Sequence, residues 1–191
     1  MKVKILYESG YREALFGIGL SYGLTSGMEC VEFKRGSEVY QRLAGVAERL
    51  ANKPGGGHNK FLEAINVCLD ITAPRYWWSE FDTYRVGTTK QSESTMHTIT
   101  KRHLTLDDFE KSFVLMQSDV DKLNNIIDSG DYRNVKMMLP ESFLQRRVVV
   151  TNYKVLKNMY EQRKAHRLPE WHMFCSAVLA FLEHGEFIDK I

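Results

Sequence analysis

Three stretches of this sequence combine residue types that bind anions or polar ring systems. The first is Gly57-His58, which closes the breaker run Lys53-Pro54-Gly55-Gly56-Gly57-His58-Asn59. Glycine lets a backbone approach a ligand closely, and a histidine placed there can hydrogen-bond or stack on it. Without further context the same residue is an ordinary surface-loop histidine. The second is Tyr84-Arg85-Val86-Gly87-Thr88-Thr89-Lys90-Gln91-Ser92-Glu93-Ser94, where cations, hydroxyls and a glycine follow an aromatic stretch. Phosphate recognition uses such parts: Arg or Lys for charge, hydroxyls and backbone N–H groups for direction. A solvated connecting loop has the same composition. The third runs from Gln145-Arg146-Arg147 through Asn152-Tyr153-Lys154 to Asn158 and Arg163. On a helix Lys154 and Asn158 share a face, Arg163 lies about one turn further, and Asn152 is about 200° from Lys154. Such a row faces either a ligand or solvent.

Other chemistries lack their residues. His97, His103, His166, His172 and His184 show neither HExxH nor CxxC…H spacing, so no zinc site is expected. No Ser–His–Asp order or Cys–His pairing stands out, and Glu63 and Asp70 make no evident acid/base pair. Cys30, Cys68 and Cys175 are widely spaced and odd in number, which argues for reduced thiols rather than a disulfide framework.

The elements that must position these residues read as one mixed α/β domain over 1–191. Lys2 to Tyr7 alternates as a strand, Tyr11 to Leu24 is apolar at helical spacing, and Cys30 to Phe33 alternates again. Ser37 to Leu50 reads as a helix capped by Ser37. Ile65 to Thr72 is the clearest strand, where Ile65, Val67, Leu69 and Ile71 alternate with Asn66, Cys68, Asp70 and Thr72, and Cys68 reads as core filler. Pro74 can open a helix whose aromatic face holds Tyr76, Trp77, Trp78, Phe81 and Tyr84. That face suits core packing or an interface. Val86 to Thr98 reads as irregular. Leu104 to Asp128 is helical in pattern, Phe143 to Val150 a strand, and Thr151 to Arg167 and Glu170 to Glu183 two helices.

The 191 residues carry 43% hydrophobic and 26% charged side chains, an ordinary soluble composition. Twenty-six basic against 24 acidic residues give a net charge of +2. That is not the large basic excess of nucleic-acid binders, so no nucleic-acid partner is expected. No window approaches the ~18 apolar residues of a membrane span. Met1-Lys2-Val3-Lys4-Ile5 is followed by no apolar signal region, so a cytoplasmic location is the expectation.

Taken in order, the three clusters resemble the flavin-dependent thymidylate synthases. That family has a Gly-His plus Glu segment, then an Arg-His-Arg…Ser…Asn-Glu…Ser…Arg-Tyr signature. Leu-Pro…Arg…Asn-x-Arg…Asn…Arg and Ala-Gln-x-Glu follow. Gly57-His58…Glu63-Ala64-Ile65 looks like the first segment, and Tyr84-Arg85 falls on the second and third positions of Arg-His-Arg without a gap. Leu139-Pro140…Arg146…Asn152-Tyr153-Lys154…Asn158…Arg163 matches the C-terminal part. The resemblance implies a central, mostly antiparallel twisted sheet with flanking helices (an α+β arrangement). It implies FAD held by His58, Arg85, Asn152, Lys154 and Asn158. It implies a pyrimidine nucleotide contacted by Arg146, Gln91, Ser92, Ser94 and Arg163, with Arg163 favouring the ionised base. The implied reaction is reductive methylation of dUMP to dTMP with methylenetetrahydrofolate and NADPH, in a homotetramer.

Several family residues are replaced. Thr83 and Tyr84 stand for the first Arg and the His of the signature, Lys90-Gln91 for Asn-Glu, Glu93 for the phosphate-binding Ser, and Thr95-Met96 for Arg-Tyr. Leu168-Pro169-Glu170-Trp171 stands for Ala-Gln-x-Glu. These changes leave two alternatives beside the family reaction. One is an enzyme modifying another pyrimidine nucleotide. The other is a non-catalytic nucleotide-binding or scaffold protein without the flavin site.

Overall fold

The computed structural model describes residues 1–53, 57–111 and 114–189. Pro54, Gly55 and Gly56 of the expected breaker loop, and Ser112 and Phe113 of the expected Leu104–Asp128 helix, lie outside the described residues. The chain opens with strand β1 (Lys2–Ser9) and helices α1 (Tyr11–Ser21) and α2 (Glu38–Ala51). As expected, Ser37 caps α2, accepting a 3.2 Å bond from the Tyr40 N–H. Strand β2 (Asn66–Pro74), helix α3 (Arg75–Phe81), strand β3 (Thr89–Ser92) and the single turn α4 (Thr95–Thr98) follow. Then come α5 (Gln117–Asp128), α6 (Tyr132–Met138), β4 (Leu144–Asn152), α7 (Tyr153–Arg163) and α8 (Pro169–Phe181).

The strands form one antiparallel sheet in the order β1-β2-β4-β3, so the mixed α/β expectation holds. β2 is an inner strand, and Val67 to Ile71 are all buried. Cys68 is buried as expected of a core thiol, and Asp70, which the alternation sets among polar positions, is inside too, because an inner strand covered on both faces loses its alternation.

Three local expectations are corrected. Cys30–Glu32 is a 3-10 turn, not a strand, with the Glu29 N–H held by the Glu32 carboxylate at 2.9 Å. In the Leu104–Asp128 stretch a 3-10 turn spans Leu106–Asp108, and the long helix begins only at Gln117. Asp108 closes that turn by accepting from Thr105 N–H at 2.8 Å, which competes with helix propagation. The Val86–Thr98 stretch contains β3 and α4.

The chain divides into two compact units. The first comprises Met1–Val3, Asp70–Thr83 and Lys90–Val149; the second comprises Lys4–Leu69, Tyr84–Thr89 and Val150–Ile191. In the first, Leu104, Phe109, Val120, Leu123, Val135 and Leu139 form an apolar core. Trp77, Trp78 and Phe81 are fully buried, with ring centroids 5.0 to 5.3 Å apart, so this part of the aromatic face is core. The Trp78 indole donates to the Gln145 carbonyl at 2.9 Å, satisfying its polar edge.

In the second unit, α1 lies against α2, and Gly19 allows the approach of Thr25 and Leu43. Tyr153 is fully buried and shares a short hydrogen bond with the Glu8 carboxylate, while its hydroxyl accepts from His184 N–H at 3.2 Å. Burial, then the Glu8 carboxylate, pushes this phenol well above its ordinary range. Burial draws the Lys157 ammonium below its ordinary range, and its N–H groups donate to the carbonyls of Phe187 and Ile188 at 2.8 and 3.1 Å. That cation of α7 is committed to holding the C-terminal turn.

Gly10 links β1 to α1 with φ +90°, and a Cβ there would lie 2.1 Å from the Ala64 carbonyl oxygen. Gly10→Ala should therefore cost about 2–5 kcal/mol, combining left-handed strain with a backbone clash. Gly130 has a similar φ of +74° but open space around it. Gly130→Ala should cost only about 1–2 kcal/mol. Urea unfolding of both variants against the parent checks the difference.

Candidate functional site

Helix α7 organises the candidate residues of the second unit. β4 ends and α7 starts at Asn152, whose side-chain oxygen accepts from the Val155 N–H at 3.0 Å. Asparagine is among the preferred caps, because its oxygen satisfies a donor the helix cannot. Beside it the Thr151 side chain, 2% exposed as a residue, donates to the Gly87 carbonyl at 3.1 Å and meets the Thr88 hydroxyl at 3.3 Å. A Cβ on Gly87 would sit 2.9 Å from Val155 and 3.2 Å from the Asn152 amide nitrogen. The Tyr84–Thr89 segment is thus held close against the start of α7, with the Arg85 side chain exposed.

Two residues after the cap, the Lys154 ammonium makes a short hydrogen bond to the side-chain oxygen of Asn59. That fixes the residue following His58 to α7. His58 is exposed and borders a cavity of about 630 Å³, together with Glu13, Ser21, Tyr22, Lys60 and Phe61. This volume is within the usual range of small-molecule sites. Asn158 is exposed and accepts from the Gln162 amide at 3.1 Å.

At the C-terminal end of α7, Arg163 is half-buried. Its Nε–H donates to the Tyr84 hydroxyl at 2.9 Å, and that hydroxyl donates to Gln162 Oε1 at 2.9 Å. The guanidinium carbon lies 4.7 Å from the Trp171 ring centre and 5.6 Å from that of Tyr84. Tyr84 and Trp171 meet edge to face at 6.1 Å. Gln162 and Trp171 carry no site signal in the sequence. Tyr84 belongs both to the candidate stretch Tyr84–Ser94 and to the aromatic stripe, and nothing in the spacing links it to residues 78 and 79 positions away.

His58, Arg85, Asn152, Lys154, Asn158 and Arg163 thus all belong to the second unit. The donor set suits a flavin dinucleotide: cations for a diphosphate, and amides for the polar edge of a ring system. The cavity beside His58 supplies concave space of the right order. Among the described residues no three His, Cys, Asp or Glu side chains come together to hold a metal ion.

Arg146, Gln91, Ser92 and Ser94 belong to the first unit. The Arg146 guanidinium is clamped by Asp70, with Nε and Nη2 donating to its two oxygens at 2.8 and 2.6 Å. Asp70 is the inner-strand carboxylate that the alternation sets among polar positions. Gln91 and Ser92 are exposed on β3, and Ser94 is half-buried at the start of α4. Glu93 and Arg146 border a cavity of about 300 Å³ with Lys2, Thr98, Arg102 and Asp108. Lys90 and Arg147 both bond Asp82, at 2.8 and 3.0 Å. Burial pushes the Asp82 carboxyl up, but the bonds from Lys90 and Arg147 outweigh it and hold it below its ordinary range. The bond from Arg102 holds Asp108 low as well. Within the described residues no helix is long and apolar enough to cross a membrane.

No family model and no curated protein matches the sequence. Solved structures do match. ThyX from Helicobacter pylori, complexed with FAD and dUMP, is similar with a TM-score of 0.78 at 16% identity, over 99% of this chain and 98% of that one. A second structure of that protein with FAD and dUMP gives a TM-score of 0.76 at 16% identity, over 97% and 95%. The UMP/dUMP methylase PolB from Streptomyces cacaoi, bound with 5-Br dUMP, gives 0.64 at 11% identity, over 93% and 88%. With so little sequence in common and so much of each chain superimposed, this protein has the fold of the flavin-dependent thymidylate synthase ThyX.

Proposed function

We propose that this protein binds FAD and a pyrimidine nucleotide and reductively methylates dUMP to dTMP, using methylenetetrahydrofolate and NADPH, as a homotetramer in the cytoplasm. One observation carries the reading. Residues distant in sequence that the family resemblance assigns to flavin and pyrimidine are tied to one helix, α7. Lys154 bonds the neighbour of His58, and Arg163 bonds the neighbour of Arg85. The ThyX fold agrees with it.

Reduced FAD, when bound, supplies the hydride of the reduction. The protein's own groups bind and polarise. Lys154 and Arg85 offer charge to a diphosphate, and His58, Asn152 and Asn158 offer directed polar contacts. A guanidinium is a fixed cation, so against a pyrimidine Arg163 favours the ring that has lost its N3 proton and stabilises negative charge there. No protein nucleophile is required.

A second reading has its own observation. Glu93 stands at the family's phosphate-binding serine, and Arg146 is already clamped by Asp70. A nucleotide other than dUMP, held with different phosphate contacts, fits these changes, and the methylase acting on UMP and dUMP shares the fold.

The purified protein should take up FAD and become yellow; a protein that stays colourless with added FAD overturns both enzyme readings. Oxidation of the reduced flavoprotein in the presence of methylenetetrahydrofolate should depend on dUMP. Dependence on UMP or another pyrimidine nucleotide instead selects the second reading. Arg163→Ala should slow nucleotide-dependent oxidation about 100-fold or more while FAD absorbance is retained. Unchanged turnover in that variant removes Arg163 from the pyrimidine site.

A further inference from the structure

Two of the replaced family residues meet on one side chain. Tyr84 stands at the histidine of the signature and Trp171 at the acid of Ala-Gln-x-Glu, and both lie against Arg163. We propose that Tyr84, backed by Trp171, is a positioning residue that sets the orientation of the Arg163 guanidinium for the pyrimidine. The proposal rests on the assignment of Arg163 to the nucleotide site.

The geometry gives each partner a distinct part. A tyrosine hydroxyl has one proton and two lone pairs. Here the proton goes to Gln162 Oε1 at 2.9 Å, which turns a lone pair towards Arg163 Nε–H, also at 2.9 Å. Gln162 is oriented in turn, since its amide donates to Asn158 Oδ1 at 3.1 Å. The bond at Nε fixes the guanidinium plane about its long axis. The Trp171 ring, fully buried and 4.7 Å away, supplies a face for the cation and limits its swing. Tyr84 is itself only 9% exposed, so its hydroxyl has little freedom. An arginine on a helix end has several rotatable bonds. Holding it by a buried hydroxyl and an indole removes that freedom before the ligand arrives.

A double-mutant cycle on dUMP binding to the FAD-loaded protein tests this. Affinity is read by flavin absorbance change or calorimetry, with UMP in place of dUMP if UMP proves the better ligand. Tyr84→Phe keeps the ring and removes the acceptor. In the Arg163 background it should weaken nucleotide binding about 10-fold or more, the usual scale for a hydrogen bond to a charged group. In the Arg163→Ala background it should change affinity less than twofold. Gln162→Met, at an exposed position, should weaken binding in the same direction by a smaller factor, and it keeps the question answerable if Tyr84→Phe folds poorly. Equal losses in both backgrounds mean a general structural role and overturn the proposal. So does a Tyr84→Phe protein that binds like the parent while Arg163→Ala does not. If Arg163→Ala itself binds the nucleotide normally, the site assignment fails first and the positioning role falls with it.

Discussion

The junction at Thr151 and Asn152 is the constraint on which the candidate site depends. A strand ends and a helix begins there within one residue, so the helix must find a cap immediately. Asn152 provides it internally, and Thr151 sends its buried hydroxyl to the Gly87 carbonyl. A buried hydroxyl without an acceptor would cost about 1–3 kcal/mol, so the contact fixes where Gly87 must be. Gly87 in turn leaves no room for a Cβ between Val155 and Asn152. Arg85 and Tyr84 come with it, and Tyr84 reaches Arg163 at the far end of the helix. One strand-to-helix turn therefore sets the positions of residues that no local pattern connects.

How much of this was legible follows from the range of each interaction. Ser37 capping α2 was readable, because a cap acts over three residues and has a residue-type signature. The cap at Asn152 was nearly so: the helix was expected from Thr151, and asparagine is a strong cap one position on. Asn152 entered instead as a family flavin residue, and its oxygen is in fact engaged by Val155 N–H. The Cys30–Glu32 turn was not legible, since alternation over four residues does not separate a strand from a turn closed by Glu29 and Glu32. Asp70 was misread for a different reason. Alternation places it outward, but an inner strand buries it, and the bidentate partner Arg146, 76 residues away, offsets that burial.

The two departures at Tyr84 and Trp171 look like losses when set against the family's motif one position at a time. In three dimensions they are neighbours 6.1 Å apart, and both lie beside the same guanidinium. Where the family's motif has a histidine and an acid, this chain has a phenol and an indole, and both offer a cation an aromatic face. A change that keeps Arg163 supported is a different event from one that discards it. Arg163 itself is kept, and the residues now beside it hold it by a hydrogen bond and by an aromatic face.

The first unit points the other way on charge. Arg146 is clamped by Asp70, Arg102 by Asp108, and Lys90 and Arg147 share Asp82. Asp82 and Asp108 are held low in pKa by these partners, so they stay ionised well into the acid range. An incoming phosphate must compete with a carboxylate already in place for each of these four cations, and Glu93 adds a further negative group beside Arg146. Exposed ion pairs contribute little stability. The Arg146–Asp70 pair is different: its carboxylate is buried and its geometry bidentate, so it resists exchange by a singly bonded oxygen.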